Sequence, residues 1–254
     1  MEKTYTGAQI IRELLRFGRA MTLCGADIRL IETTLEDLGR YFGAKEMHVF
    51  VISAVIIITA ANEEGQTQTQ SIRITKKIGY DFTKLEKLYD LANKAKSNQM
   101  SLDEFIEARR TIDAQDQLGI IAYLGSIFAA GGFAIFFGGT LLDGCIAALV
   151  GSLFCLLQRK VRRYCPNDIV FNFIACFITG IVIHIFKFFI PNLMEDMVTI
   201  GVIMLPIPGI PITNAVRDMF AGDIITGILR FVESLLITAG IAAGFISALT
   251  VVGA

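Results

Sequence analysis

Along the chain, apolar positions recur first at helical spacing, then at strand spacing, and after residue 117 run almost without interruption. Ile10, Ile11, Leu14, Leu15 and Phe17 fall near a 3.6-residue period, which predicts a helix over 6–23 that Gly25 breaks. A second helix, 27–42, carries Ile28, Ile31, Leu35 and Leu38 on one face and ends at Gly43. The stretch HVFVISAVIIITA, 48–60, is dense in β-branched residues, and TQSIRI, 69–74, alternates polar and apolar. With NEEGQTQ as the turn between them, they predict a β-hairpin packed on the helices. Residues 49–61 are too few to cross a bilayer at about 1.5 Å per helical residue. Helices follow at 82–97 and 102–116, the second opened by Ser101 and, three residues on, Glu104, the spacing of a capping box.

Beyond 117 the spacing signal gives way to length. From Leu118 to Gln158 the single charge is Asp143. A bilayer core of about 30 Å needs about 20 apolar helical residues, so this run holds two spans, 118–137 and 140–158, turning at FFGGT, 136–140. Further spans are predicted at 169–190, 197–216 and 224–252. The architecture expected is an α-helical membrane protein. An α+β domain of helix pairs and a hairpin (1–117) precedes about five transmembrane helices (118–254), the fourth broken by prolines.

Charge sharpens that division. Charged residues make up 19% of the chain, against about 25% in ordinary soluble domains. Of its 47 Lys, Arg, Asp and Glu, 33 lie in 1–117. The basic cluster Arg159, Lys160, Arg162 and Arg163 predicts a cytoplasmic loop after the second span, and Arg217 another after the fourth. The acidic loop PNLMED, 191–196, predicts an outer one. The N-terminal domain is then cytoplasmic and the C-terminus outside, in the inner or plasma membrane. The N-terminus shows no apolar core of a signal peptide. A net charge of −1 gives no field for nucleic acid. Five cysteines without a C-x-x-C pair, and two distant histidines, His48 and His184, give no basis for a metal or other cofactor. Neither a Walker loop, a catalytic triad nor a dinucleotide turn is present, so an enzyme is not expected.

The stretch 205–230, LPIPGIPITNAVRDMFAGDIITGILR, is the most informative chemically. Pro206, Pro208 and Pro211, with Gly209 among them, deny a regular helix. Unpaired backbone is costly in lipid, so the segment must be shielded by protein or line a wet cavity. Broken helices near mid-bilayer hold substrates and ions in secondary transporters; a plain structural kink is the alternative. Thr213 and Asn214 follow the break as polar contacts. Asp143, Asp218 and Asp223 are candidates for proton coupling, Arg230 and Lys187 for anion attraction, and Glu233 for an ion pair with Arg230. The bland readings are interfacial or loop positions for the acids, a structural pair for Arg230–Glu233, and snorkelling for Lys187.

Several blocks together resemble the threonine/serine exporter family: CGADIRLIETTLEDLGRYFG (24–43), KLEKLYDLANKAKSNQMSLDEFIEA (84–108), FFGGTLLDG (136–144), and PG followed by TNAVRDMFAGDIITGILR (213–230). Pro208, Gly209, Thr213, Asp218, Gly222, Asp223, Gly227 and Arg230 fall on that family's pattern. Fused members carry a second membrane half, so a chain of about five spans is similar to the large subunit of the split type implicated in succinate export. The resemblance implies a small membrane subunit as partner and a homo- or hetero-oligomer. The expected cargo is a small polar metabolite: a dicarboxylate such as succinate, or alternatively threonine or serine. A non-transporting membrane scaffold or sensor is the reading of another class.

Overall fold

The structure, a computed structural model, describes residues 7–44, 46–61, 67–75, 79–97, 100–114 and 119–253. Two compact units share the chain: Met1–Asp116 with Arg217–Gly227, and Gln117–Val216 with Ile228–Ala254.

In the first unit, helices α1 (Gly7–Leu23) and α2 (Ile28–Tyr41) precede strands β1 (Glu46–Ile52), β2 (Val55–Ala61) and β3 (Thr67–Arg73), followed by helices α3 (Phe82–Ser97) and α4 (Leu102–Ala114). The strands form an antiparallel sheet in the order β1-β2-β3. One face of it carries Met47, Val51, Ile56, Ile58 and Ala60 into a core with Leu14, Phe17, Ile31, Leu35, Leu88 and Phe105. Helix α1 lies against β2, β3, α2 and α4, and α2 against β1 and α3. Asp27 caps α2 by accepting the Leu30 N–H at 2.8 Å. The Ser101–Glu104 capping box forms as the spacing predicts, with the Ser101 N–H donating to Glu104 at 2.8 Å.

The predicted hairpin is corrected to a three-stranded meander. The stretch read as one strand, 48–60, is two strands folded back at Ser53–Ala54, with Ile52 opposite Val55. That dipeptide contains neither Gly nor Asn, the residues that signal a two-residue turn. The Ile74 N–H reaches across to the Ala54 carbonyl at 2.8 Å, tying the turn to the end of β3. Of the predicted turn at NEEGQTQ, 62–66 lie outside the described residues, and Thr67 and Gln68 open β3.

The second unit contains α5 (Gly119–Phe136), α6 (Leu141–Lys160), α7 (Asp168–Phe189), α8 (Glu195–Ile203), most of α9 (Gly209–Phe220) and most of α10 (Ile224–Val252). Among the described residues, three helices are long and apolar enough to cross a membrane: Leu141–Tyr164, Asp168–Phe189 and Ile224–Val252. A shorter apolar stretch, Tyr123–Phe136, lies within α5. Glycines set how closely these helices pack. A side chain at Gly201 on α8 would come within 2.4 Å of the Ala130 carbonyl on α5. One at Gly244 on α10 would come within 2.5 Å of the Phe173 carbonyl on α7. Small residues let helix backbones approach where lipid supplies no hydrophobic drive for association. Ile121, Phe128, Phe136, Phe188 and Phe189 point outward, an apolar surface that water would penalise and lipid accepts. The predicted fourth span, 197–216, is resolved into two helices, α8 and α9, with 204–208 between them.

A buried ion cluster crosses the first unit. Arg109 on α4 donates to Glu13 on α1 at 3.3 Å and to Asp113 at 2.6 Å. Glu13 keeps Arg16 as a second partner at 2.5 Å, so it is not stranded if Arg109 is removed. Asp113 likewise keeps Lys84 at 3.3 Å, so Arg109→Met removes two charge-assisted hydrogen bonds without stranding either acid, and is expected to cost about 2 kcal/mol rather than the larger loss of an orphaned charge. Thermal unfolding of the solubilised chain reads this as a lowered Tm; an unchanged Tm contradicts it.

Candidate functional site

The break between α8 and α9 is built from the proline chemistry of 204–208. The last turn of α8 tightens, with the Met204 N–H to the Ile200 carbonyl and the Leu205 N–H to the Val202 carbonyl, both at 3.2 Å. Pro206 and Pro208 have no N–H, so Ile207 is the one amide donor between Leu205 and Gly209. The Gly209 N–H turns back to the Ile207 carbonyl at 2.9 Å, and the Ile212 N–H to the Pro208 carbonyl at 3.1 Å starts α9. Pro211 is the third residue of α9, where a helical N–H has no partner to lose. The prolines thus break the helix and also delete donors that an apolar setting would leave unpaired.

Pro208 is buried, Pro206 and Pro211 are half-buried, and Gly209 is exposed. Thr213 is exposed and its hydroxyl donates to the Gly209 carbonyl at 3.0 Å, so α9 itself uses it. Asn214, the next residue along α9, is 8% exposed. Arg230 on α10 is 7% exposed, whereas Glu233, three residues on, is exposed.

Asp143 and Lys187 belong to a different constellation. Helix α5 ends on Gly138 with φ 108°, a left-handed conformation that favours glycine. Its last carbonyls are closed by the Gly138 N–H to Ile135 and the Gly139 N–H to Ala134, both at 3.0 Å. Thr140 then caps α6 in a capping box with Asp143, which is fully buried. One Asp143 oxygen accepts the Thr140 N–H and hydroxyl at 2.7 Å each; the other accepts the Met194 N–H at 2.9 Å. Lys187 donates to the Pro191 and Leu193 carbonyls at 2.9 and 2.7 Å. His184 Nδ1 lies 3.2 Å from Glu195. The α5–α6 turn and the α7–α8 loop are therefore fastened through Asp143, and both its oxygens are occupied.

Asp218 and Asp223 fall in the first unit with the rest of 217–227. Helix α9 closes on Gly222, φ 98°, with the Gly222 N–H to Met219 at 3.1 Å and the Asp223 N–H to Asp218 at 2.9 Å. Asp218 is buried. Opposite this turn stands α2: Arg217 is 3.7 Å from Asp27, and the Arg29 guanidinium donates to the Ala221 carbonyl. Asp223 also acts on Glu32, whose carboxyl burial holds above the usual carboxylate range. The Val51 N–H, 3.0 Å away, opposes that rise; Asp223 and Glu36 add to it.

Sequence reasoning did not single out Thr140, Met194, Glu195, Arg29 or Glu32. Thr140 was findable, since Thr-x-x-Asp ahead of an apolar run is a capping-box spacing. The others are brought in by tertiary contacts with no local signal.

The helices define a helical membrane protein, with three helices long and apolar enough to cross a bilayer among the described residues. The threonine/serine exporter family model matches residues 12–252, and the chain belongs to that family. It is 21% identical over 241 residues to a "Probable threonine/serine exporter" of Mycobacterium tuberculosis, covering 92% of this chain and 45% of the relative. It is 29% and 31% identical to the "Probable succinate transporter subunit YjjP" of Klebsiella aerogenes and of Escherichia coli K12, over 44% of this chain and 44% of each relative. The chain thus spans under half the length of the curated relatives it matches. No solved structure matches it.

Removing the Asp143 carboxylate frees three donors at once. Asp143→Ala is expected to cost about 3 kcal/mol, since hydrogen bonds to a charged acceptor contribute about 1.5–3 kcal/mol each and the two loops relax partly toward solvent. Limited proteolysis of 190–196 should accelerate accordingly; unchanged cleavage would contradict the fastening.

Proposed function

We propose that the chain is a subunit of a secondary active exporter for small polar metabolites, with dicarboxylates such as succinate as cargo. In this reading it crosses the inner or plasma membrane five times, with its N-terminal unit in the cytoplasm and its C-terminus outside. The observation that carries it is the interrupted span. Helix α8 has 9 residues and rises about 14 Å, roughly half the hydrocarbon core, before the chain breaks. A break half-way across a span, followed by buried Asn214, is where non-helical backbone can hold an ion or substrate.

Several observations support the topology. Arg159, Lys160, Arg162 and Arg163 cluster after α6, and Glu195 and Asp196 follow α7. Arg217 pairs with Asp27 of the N-terminal unit, as a cytoplasmic α9–α10 turn requires. Pro206, Pro208, Gly209, Pro211 and Asn214 are the pathway residues of this reading, with Arg230 as the cation for an anionic cargo. Asp218 and Asp223 are the acids for proton coupling. The full occupancy of Asp143 by three donors supports a fastening role for it instead.

The relatives named as succinate transporter subunits support the dicarboxylate and also a companion membrane subunit that completes the carrier. Threonine or serine is the second reading of the cargo, supported by the Mycobacterium relative aligned across 92% of the chain.

Proteoliposomes holding the chain with a companion small subunit should accumulate or release labelled succinate saturably under a proton gradient. Arg230→Ala is expected to lower that flux at least about tenfold with assembly intact, the loss of one charge-assisted contact to the cargo. Saturable threonine or serine flux without succinate flux would select the second cargo. Absence of flux for every dicarboxylate and hydroxy amino acid, or normal flux in Arg230→Ala and Asp223→Asn, would reject the pathway and favour a scaffold.

A further inference from the structure

Helix α6 ends in cations that its own fold does not neutralise. Its 20 residues rise about 30 Å, the thickness of a bilayer's hydrocarbon core. A membrane surface at Leu141 therefore brings Arg159 and Lys160, at the other end, to the level of the opposite lipid phosphates. Leu142, Leu149 and Leu156 recur every seven residues and are all exposed, which marks the ridge of α6 that faces lipid. Arg159 and Lys160 lie three and four residues beyond Leu156, and Arg163 seven beyond it, on the continuation of that ridge. All three are exposed. The aliphatic ridge thus runs into a basic one.

The segment that carries these cations is closely bonded. The Val161 N–H donates to the Leu157 carbonyl at 2.7 Å, the Tyr164 N–H to the Val161 carbonyl at 2.9 Å, and the Cys165 N–H to the Arg162 carbonyl at 3.2 Å. A single 3-10 turn, Arg162–Tyr164, therefore follows α6. Asn167 then opens α7 by accepting the Val170 N–H at 2.9 Å. Of the four basic residues, Arg162 is engaged by Asp168 at 3.0 Å. The Arg163 guanidinium lies 4.7 Å from the centre of the exposed Tyr164 ring and donates to its hydroxyl at 2.7 Å. A tyrosine with an apolar ring and a polar tip suits the boundary between hydrocarbon and headgroups. Arg159, Lys160 and Arg163 have no carboxylate partner among the described residues.

We propose that Arg159, Lys160 and Arg163 bind the phosphate of an anionic phospholipid whose acyl chains lie along Leu149 and Leu156. Guanidinium and ammonium groups supply charge-assisted donors to the phosphate oxygens. A zwitterionic headgroup such as phosphatidylcholine brings its own ammonium, which three cations repel. A free phosphate ion would meet the same donors, but it would leave the leucine ridge unused, so the site is assigned to a lipid. The inference stands whether or not the chain exports a metabolite, since it concerns the bilayer around α6.

The chain contains no tryptophan, so one introduced on the ridge reports its own lipid neighbours. Full chains carrying Leu156→Trp or Leu142→Trp are reconstituted in phosphatidylcholine mixed with dibrominated phosphatidylglycerol. Bromine quenching then gives the relative occupancy of the two lipids at each end of α6. At 156 phosphatidylglycerol is expected to be preferred over phosphatidylcholine at least about fivefold, the contribution of one cation near an anionic headgroup, and at 142 not. Arg159→Gln, Lys160→Gln and Arg163→Gln together should bring 156 down to the level of 142. Raising salt to about 0.5 M should lower the preference without any change to the cluster, which keeps the test open if the triple variant does not fold. Equal preference at 156 and 142 overturns the proposal, and so does a preference at 156 that survives both the triple substitution and salt. Loss of the preference to soluble glycerol phosphate at matched ionic strength would assign the cluster to a free phosphate and overturn the lipid. Because the readout is lipid occupancy, flux without any preference at 156 would overturn this inference and leave the exporter reading standing.

Discussion

A proline can neither donate a backbone hydrogen bond nor accommodate the preceding helical turn, and at 204–208 that constraint divides α8 from α9. At 204–208 the chain places two of its five prolines, so the break carries two fewer amide donors than a proline-free stretch of that length would. The remaining amides turn inward, Gly209 to Ile207 and Ile212 to Pro208, and α9 resumes with Pro211 where a missing N–H costs nothing. Close packing around α8 makes this tolerable. Gly201 brings its backbone against Ala130 of α5, and Val198 and Val202 are fully buried. The helix before the break is thus held by neighbours on several sides.

The same economy governs the helix ends. In the α5–α6 turn the amides of Phe137, Gly138, Gly139 and Thr140 all find acceptors, because Gly138 closes one helix and Thr140 with Asp143 opens the next. Asp143 then reaches across to the Met194 amide, so the loop that leads into α8 is fixed by the turn between α5 and α6. The interrupted helix is anchored at its start by this acid, while the end of its continuation, α9, is seated on α2 by Arg29 and Arg217.

Much of this was legible in residue order. Helical spacing located α1, α2, α3 and α4, and apolar run length located α5, α6, α7 and α10 to within a residue or two, because a 3.6 period and a bilayer's thickness are both written locally. The fold-back at Ser53–Ala54 was not, since neither residue advertises a turn and tertiary packing of Ile56 and Ile58 selects the register. The prolines announced a break, but not that it would be five residues long with α9 running on to Phe220. Among the candidate side chains, Asp143 looked like a lone acid in a greasy run. Its buried, fully bonded state depends on Met194, 51 residues away. Thr213 looked available and is back-bonded to its own helix. Glu32 gave no signal at all, being one more acid on an amphipathic helix until the α9–α10 turn lands beside it.

The depth of the break decides the account. A nitroxide placed at residue 207 in a bilayer, with power saturation by oxygen and by a water-soluble nickel chelate, measures it. We expect a position roughly 10–15 Å below the phosphate level, with oxygen dominating, while a label at 192 reports the aqueous interface. Equal access of the nickel chelate to 207 and 192 would put the proline link in bulk water and contradict the account.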